Sequence, residues 1–271
     1  MNLLVVEMRR AMRRRVVRVM IMIALLGCGF AGVIAFTSSS GKTIAELNRG
    51  AEISPAVLNG WWIAGRSDGV VMIGSVFLLL GGMFAGAAVA GAEWRAGTIT
   101  TALTWESRRV RLNLARTAAC GILAFVIAVA LQVIFLAALL PAVFANGTTT
   151  GTDADWWVSL ALVIGRTALL TSIAAMLAVG LATLGHNTAF ALAAVFAWFA
   201  VIENLVRAHR PSWTPYLWGE NIGTVLPWKQ MKSVDFTRGP LLALGTIIVY
   251  TAIVVTAATI TFQRRDIAGT A

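Results

Sequence analysis

The polar segment between residues 91 and 116 contains the side chains best suited to a specific interaction. It holds Glu93, the dipeptide Gly97-Thr98, the dipeptide Ser107-Arg108 and five arginines in all. These residue types can form ion pairs or contact an acidic protein surface or anionic lipid. They include no nucleophile paired with a general base and no set of metal ligands. The segment is therefore a candidate docking element rather than a catalytic centre.

Two interpretations of this segment fit its spacing. Ala96, Ile99 and Leu103 recur at helical intervals and predict a short helix, and Ser107 is a suitable cap for a second helix. That second helix would carry three arginines into the next apolar run: Arg108, Arg109 and Arg111. The spacing fits equally well a solvated, positively charged loop.

Arg166 is the one ionised side chain that falls well inside an apolar run. A charge near the middle of a bilayer costs roughly 2.5–3.5 kcal/mol on insertion scales, so it should face the protein interior and have a partner. Counting along the helices brings Glu203 to a similar depth, and we predict an Arg166–Glu203 ion pair. The alternative is that Arg166 extends to the outer headgroups.

Metal and nucleotide sites are not predicted. His186 and His209 have no carboxylate or cysteine at ligand spacing, and Cys28 and Cys120 lie within apolar runs. The sequence Gly41-Lys42-Thr43 ends like a phosphate-binding loop, but Phe36 stands where that loop requires glycine. We therefore expect this chain to bind no cofactor and not to be an enzyme by itself.

The elements that position these residues are apolar runs. Hydrophobic residues make up 58% of the 271 residues and charged residues only 13%, which is atypical of a soluble domain. About 20 apolar residues cross the hydrocarbon core as a helix, and backbone polar groups in lipid must be satisfied within the segment. We predict an all-α integral membrane protein, a single transmembrane domain with six spans: Val16–Phe36, Val70–Ala90, Thr117–Leu140, Val158–Leu184, Thr188–Val206 and Pro240–Phe262.

The arginines predict the orientation. With both termini cytoplasmic, thirteen basic residues lie inside and eight outside, which follows the positive-inside rule. The net charge of +10 is then a topology signal, and we expect no nucleic-acid partner. Tryptophans on the outer side suggest an aromatic belt at the lipid boundary.

Three further segments have distinct patterns. Residues 1–15 alternate arginines with an apolar face, which predicts a helix lying in the inner interface. Gly82 and Gly86 have the spacing that allows close helix packing, against another span or a second subunit. Residues 207–239 form a long outer segment rich in proline and tryptophan, which is either an ordered loop or pieces dipping into the membrane.

At the polar segment the chain resembles the membrane subunit of ABC-2 type transporters. Glu93, Gly97-Thr98 and Ser107-Arg108 match that family's second inner segment in order and spacing, with Trp105 where the family has proline. Phe262-Gln-Arg-Arg-Asp-Ile267 resembles the ending common in these permeases. The resemblance covers the whole plan of six spans, and it implies a cytoplasmic coupling helix at Glu93–Leu103 between the second and third spans.

The resemblance implies a permease subunit of an ATP-driven exporter in a bacterial plasma membrane. It would dimerise with a like or unlike second permease subunit and contact membrane lipids, while a separate cytoplasmic ATPase dimer would hold the ATP and Mg²⁺. The substrate would be hydrophobic or amphipathic: a drug, antibiotic, peptide or lipid-like molecule. The residues assigned to coupling are Glu93, Gly97, Thr98, Leu103, Ser107, Arg108, Arg109 and Arg111.

Two other functions are consistent with six spans. A membrane scaffold, immunity or signalling component would keep the helical form without transporting anything. An ion-coupled carrier would need acidic residues within its spans, and only Glu203 comes close to that position. The carrier therefore ranks last.

Overall fold

In a computed structural model the chain is described for residues 3–47, 54–63, 69–97, 108–232 and 237–264. Within these ranges it is an all-α protein whose helices α1 to α10 are Leu3–Arg13, Arg15–Ser39, Ile44–Leu47, Val70–Arg95, Arg109–Asn146, Ala154–Gly185, Thr188–Phe196, Glu203–His209, Trp218–Val225 and Pro240–Arg264. Single 3₁₀ turns span Leu58–Trp61 and Pro211–Tyr216. A small antiparallel pair joins β1 (Met231–Lys232) to β2 (Thr237–Arg238).

Six helical stretches are long and apolar enough to cross a membrane. They confirm the six predicted runs, with several ends displaced outwards. The third is the longest, because α5 starts at Arg109 and continues to Asn146, so the arginines before the third span belong to the same helix. The fifth combines α7, a π-helical turn at Ala197–Ile202 and α8.

Helix α6 lies at the centre of the bundle. In the most apolar 18-residue stretch of this helix 61% of the residues are buried, compared with 11% in the corresponding stretch of α2. It packs against α4, α5 and α10, and its buried positions include many small residues, such as Ala168, Ala174, Ala175 and Ala178. Side chains on α2 such as Leu26 and Phe30 are exposed, which suits a helix bordered by lipid.

Both ends of the described chain lie at one end of the bundle, which we call the Glu93 end. There Arg14, just before α2, contacts Glu93 at the end of α4, and Phe262 near the end of α10 packs against Trp94. At the opposite end the Asn146 amide donates to the Phe36 carbonyl oxygen at 3.2 Å. The chain therefore crosses the bundle an even number of times. That the Glu93 end faces the cytoplasm is a prediction from the distribution of arginines.

The tryptophans at the opposite end do not form a uniform belt. Trp61, Trp62, Trp156 and Trp218 are buried, and the Trp156 indole donates to the Trp62 carbonyl oxygen at 3.0 Å. The side chains that are exposed there include Trp157, Trp213 and Trp228. The belt interpretation therefore fails for the buried four, because their rings fill space between chain segments.

Candidate functional site: a buried charge cluster

Glu93 lies in the last turn of α4 and is only 1% exposed. The predicted helix Glu93–Leu103 does not start there as a separate element, because α4 runs through Glu93 to Arg95. Gly97 follows with φ of +64°, a left-handed conformation that glycine adopts freely and that ends helices. The remaining residues of that predicted helix, with Thr98, Leu103 and Ser107, lie outside the described residues.

Three arginines surround the Glu93 carboxylate. Arg116 of α5 binds Oε2, Arg14 binds Oε1, and Nη1 of Arg10 in α1 lies 3.4 Å from Oε1. Glu7 of α1 completes the group, because its carboxylate lies 3.6 Å from Arg10. We call Glu7, Arg10, Arg14, Glu93 and Arg116 the Glu93 cluster.

The amphipathic pattern of the first residues is explained in part by this cluster. Helix α1 forms as predicted, but Glu7 and Ala11 are its buried residues, and the arginines Arg10 and Arg14 are directed to Glu93. The apolar Val5 and Met12 are each more than one third exposed. Of the arginines in this segment, Arg10 and Arg14 therefore contact α4, whereas Arg9 and Arg13 are exposed.

The cluster carries more positive than negative charge. Three guanidinium groups meet two carboxylates; Arg116 Nη2 contacts Glu93 Oε2 as an ion pair, and no nitrogen of the Arg116 guanidinium makes a hydrogen bond among the described residues. Burial lowers the pKa of the Arg14 guanidinium, and the Glu93 carboxylate opposes that shift. Buried pairs of this kind contribute little net stability, but removing one partner is strongly destabilising because it leaves an uncompensated charge. The cluster thus holds α1, α4 and α5 in one arrangement.

Trp94 extends these connections to two more helices. Its ring meets His186 edge-on at a centroid distance of 4.0 Å and Phe262 of α10 at 6.0 Å. His186 ends α6 in a left-handed conformation with φ of +54°, and the Asn187 side chain caps α7 by accepting from the Ala189 N–H. His186 is therefore a turn residue that packs on an aromatic ring. Among the described residues, the end of α4 thus contacts α1, α5, α10 and the turn after α6.

The three arginines after Ser107 are placed at the start of α5. Arg108 precedes the helix and is exposed, Arg109 is half-buried and Arg111 is exposed. All three make contacts within the protein. The ion pair of Glu93 with Arg116 joins the end of α4 to the first turns of α5. Sequence reasoning named Arg116 as part of the segment but missed it as the partner of Glu93.

The predicted ion pair of Arg166 with Glu203 is not formed. Glu203 is fully buried and accepts from the Trp198 indole at 3.0 Å, the Gly219 N–H at 2.8 Å and Arg207 at 3.1 Å. The physical reason is local: Arg207 lies one turn further along the same helix. The preceding π-helical turn also shifts the faces of this span relative to an ideal helix. The i,i+4 spacing of Glu203 and Arg207 was the signal available in the sequence.

Arg166 has a different environment from either predicted one. Its guanidinium lies 4.8 Å from the centroid of the Trp228 ring, and Nη1 lies 3.5 Å from the Leu226 carbonyl oxygen. A cation over an indole face is attracted by the ring quadrupole. The outer segment, rather than a facing span, therefore supplies the contacts of Arg166.

Gly82 and Gly86 pack against another helix of the same chain. A Cβ on Gly82 would lie 2.7 Å from the Thr171 methyl group, and one on Gly86 would overlap the Ala175 carbonyl oxygen. Both neighbours lie on α6, four residues apart. Of the two partners that the sequence allowed, the structure selects a span of the same chain.

Metal-binding potential is low in the part of the chain that the structure describes. No group of three His, Cys, Asp or Glu side chains there could hold an ion. Exposed His209 contacts the Leu205 carbonyl oxygen at 3.1 Å in its own helix.

No protein-family model matches the chain, and no curated protein matches it.

Proposed function

We propose that the chain is the permease subunit of an ATP-driven exporter of the ABC-2 type, powered by a separate ATPase. The observation that carries this proposal is the Glu93–Arg116 ion pair. It joins the two helices that flank residues 98–107, so a force applied to that segment would move both helices together. Through Arg10, Arg14 and Trp94 the same force would reach α1, α10 and the turn after α6.

The proposed orientation puts the Glu93 end in the cytoplasm of a bacterial cell. There Arg108 and Arg111 would contact an acidic surface of the ATPase, and the ATPase dimer would bind ATP and Mg²⁺. A second permease subunit would complete the exporter. The cargo would be a hydrophobic or amphipathic molecule, because an ion moving between apolar helices would lose its hydration without gaining a counter-charge.

Copurification of ATP hydrolysis tests the proposal. The tagged chain is purified from its native membranes in mild detergent, and vanadate-sensitive ATP hydrolysis is measured with the wild type and with Arg108→Glu/Arg109→Glu/Arg111→Glu. We expect hydrolysis with the wild type and loss of at least about ten-fold with the triple variant, because like charges would repel the acidic partner surface.

A matched control reverses three basic residues at the opposite end: Arg210→Glu/Lys229→Glu/Lys232→Glu. These side chains are exposed, so the change in net charge is the same while the proposed docking surface is intact. Copurified hydrolysis should persist in this variant. A wild-type preparation that is pure, folded and free of any ATPase would contradict the exporter and favour a non-transporting membrane scaffold.

A further inference from the structure

A cleft of about 1050 Å³ lies between α2, α4 and α5. It extends from Ala11 and Val17, next to the Glu93 cluster, to Pro55 at the opposite end of the bundle. None of the described residues that line it is Asp, Glu, Lys or Arg. Its volume is that of a site for a small organic molecule.

Two polar side chains interrupt this otherwise apolar wall: Thr171, whose hydroxyl donates to the Thr167 carbonyl oxygen, and Gln132. Gln132 lies on α5, lines the cleft and is 1% exposed. Its Nε2 donates to the Val71 carbonyl oxygen at 3.2 Å. Because a carbonyl oxygen can only accept a hydrogen bond, the amide atom next to it must be Nε2 and not Oε1.

The other amide atom, Gln132 Oε1, has no donor among the described residues. A buried acceptor without a partner is costly, and the cost is recovered when a ligand supplies an N–H or O–H group. The Ser75 hydroxyl also donates to the Val71 carbonyl oxygen, at 2.8 Å, so this one oxygen accepts from two side chains.

We infer that this cleft binds a neutral, largely apolar molecule that donates a hydrogen bond to Gln132 Oε1. A charged ligand would find no counter-charge in the wall. Counting about 1.5 Å per residue from Arg116, Gln132 lies about 24 Å along the helix, beside the first turn of α4. Acyl chains and their ester groups have no donor, and the backbone donors of a partner helix are used within that helix.

Binding to the cleft does not depend on the proposed function, whereas export of the bound molecule rests on it. The test therefore uses the full-length chain alone in lipid nanodiscs, with no ATPase present. The probes are 1-aminoanthracene and anthracene, which share an apolar ring system and differ by one amine donor. Emission sensitised by the protein's tryptophans reports the Kd of each probe.

The wild type should bind 1-aminoanthracene about five- to ten-fold more tightly than anthracene, the range of one hydrogen bond in apolar surroundings. Gln132→Met should remove that preference and leave anthracene binding within about two-fold.

A second variant tests the cleft itself and is independent of Gln132. Gly27 lines the cleft, and a Cβ added there meets no atom within 4 Å. Gly27→Leu should fill the space and weaken binding of both probes by about ten-fold or more. Gly29 on the same helix is equally open and does not line the cleft, so Gly29→Leu should leave both Kd values unchanged.

Two results would overturn the inference. Equal Kd values for the two probes in the wild type would mean that Gln132 does not select a donor and that the cleft behaves as a site for acyl chains. Unchanged binding in Gly27→Leu would place the probes elsewhere. Tight, Gln132-dependent binding together with a lack of copurified ATPase would instead uphold the site and contradict the exporter.

Discussion

The Glu93 carboxylate and the Arg116 guanidinium form an ion pair in which each side chain is only 1% exposed. Glu93 lies in the last turn of α4 and Arg116 in α5, so the buried pair joins two helices that are consecutive in the described chain.

Replacing Glu93 should destabilise the protein strongly. Glu93→Gln leaves the buried charge of Arg116 and the partly buried charge of Arg14 without their carboxylate, and breaking a buried pair costs about 3–5 kcal/mol. Thermal unfolding in detergent, followed by circular dichroism, should show a large drop in Tm. Glu46→Gln is the matched control, because Glu46 is exposed and bonds only to Thr43 within the described chain.

The coupling between Glu93 and Arg116 can be isolated with a double-mutant cycle. Arg116→Met should also be destabilising, and Glu93→Gln/Arg116→Met should cost less than the sum of the two single changes. Strict additivity would show that the pair is not coupled.

The partner of Glu203 is tested by exchanging charges. Glu203→Arg or Arg207→Glu alone should lower the Tm, since each places like charges one helical turn apart at a buried position. Glu203→Arg/Arg207→Glu should recover part of that loss, whereas Glu203→Arg/Arg166→Glu should recover none. Recovery in the second pair alone would restore the partner that the sequence suggested.

Neighbouring glycines on α4 should respond differently to the same substitution. Gly86→Ala forces a methyl group into the Ala175 backbone of α6 and should cost about 1–3 kcal/mol, the usual range for overpacking. Gly81→Ala meets open space and should be neutral or slightly stabilising, because alanine favours helix. Unfolding of the two variants in the same detergent gives the comparison, and equal Tm values would contradict the packing described for Gly86.

The orientation is tested by cysteine labelling in intact cells. With Cys28 and Cys120 replaced by alanine, Lys42→Cys and Ala96→Cys place exposed thiols at opposite ends of the bundle. A membrane-impermeant maleimide should label Lys42→Cys directly and Ala96→Cys only after permeabilisation. The reverse pattern would put the Glu93 end outside.

Hydropathy alone predicted the six membrane-crossing helices because each apolar run must satisfy its backbone hydrogen bonds internally, whatever its neighbours are. The boundaries were less certain. Hydropathy does not distinguish Arg109 before the third span from a loop residue, and the spacing fitted a helix and a loop equally well; α5 begins at Arg109, which agrees with the helix. Gly82 and Gly86 were recognisable as a packing surface, but their partner was not.

The sequence by itself determined the class of protein, the number of spans and the segments with an excess of arginine, since these depend on composition along one chain segment at a time. The tertiary structure decided which charges meet: Glu93 with Arg116, Arg14 and Arg10, and Glu203 with Arg207 in place of Arg166. It also decided that Gln132 lines an apolar cleft. Pairings of this kind depend on helix rotation, tilt and local irregularities such as the π-helical turn at Ala197–Ile202, and hydropathy is insensitive to all of them.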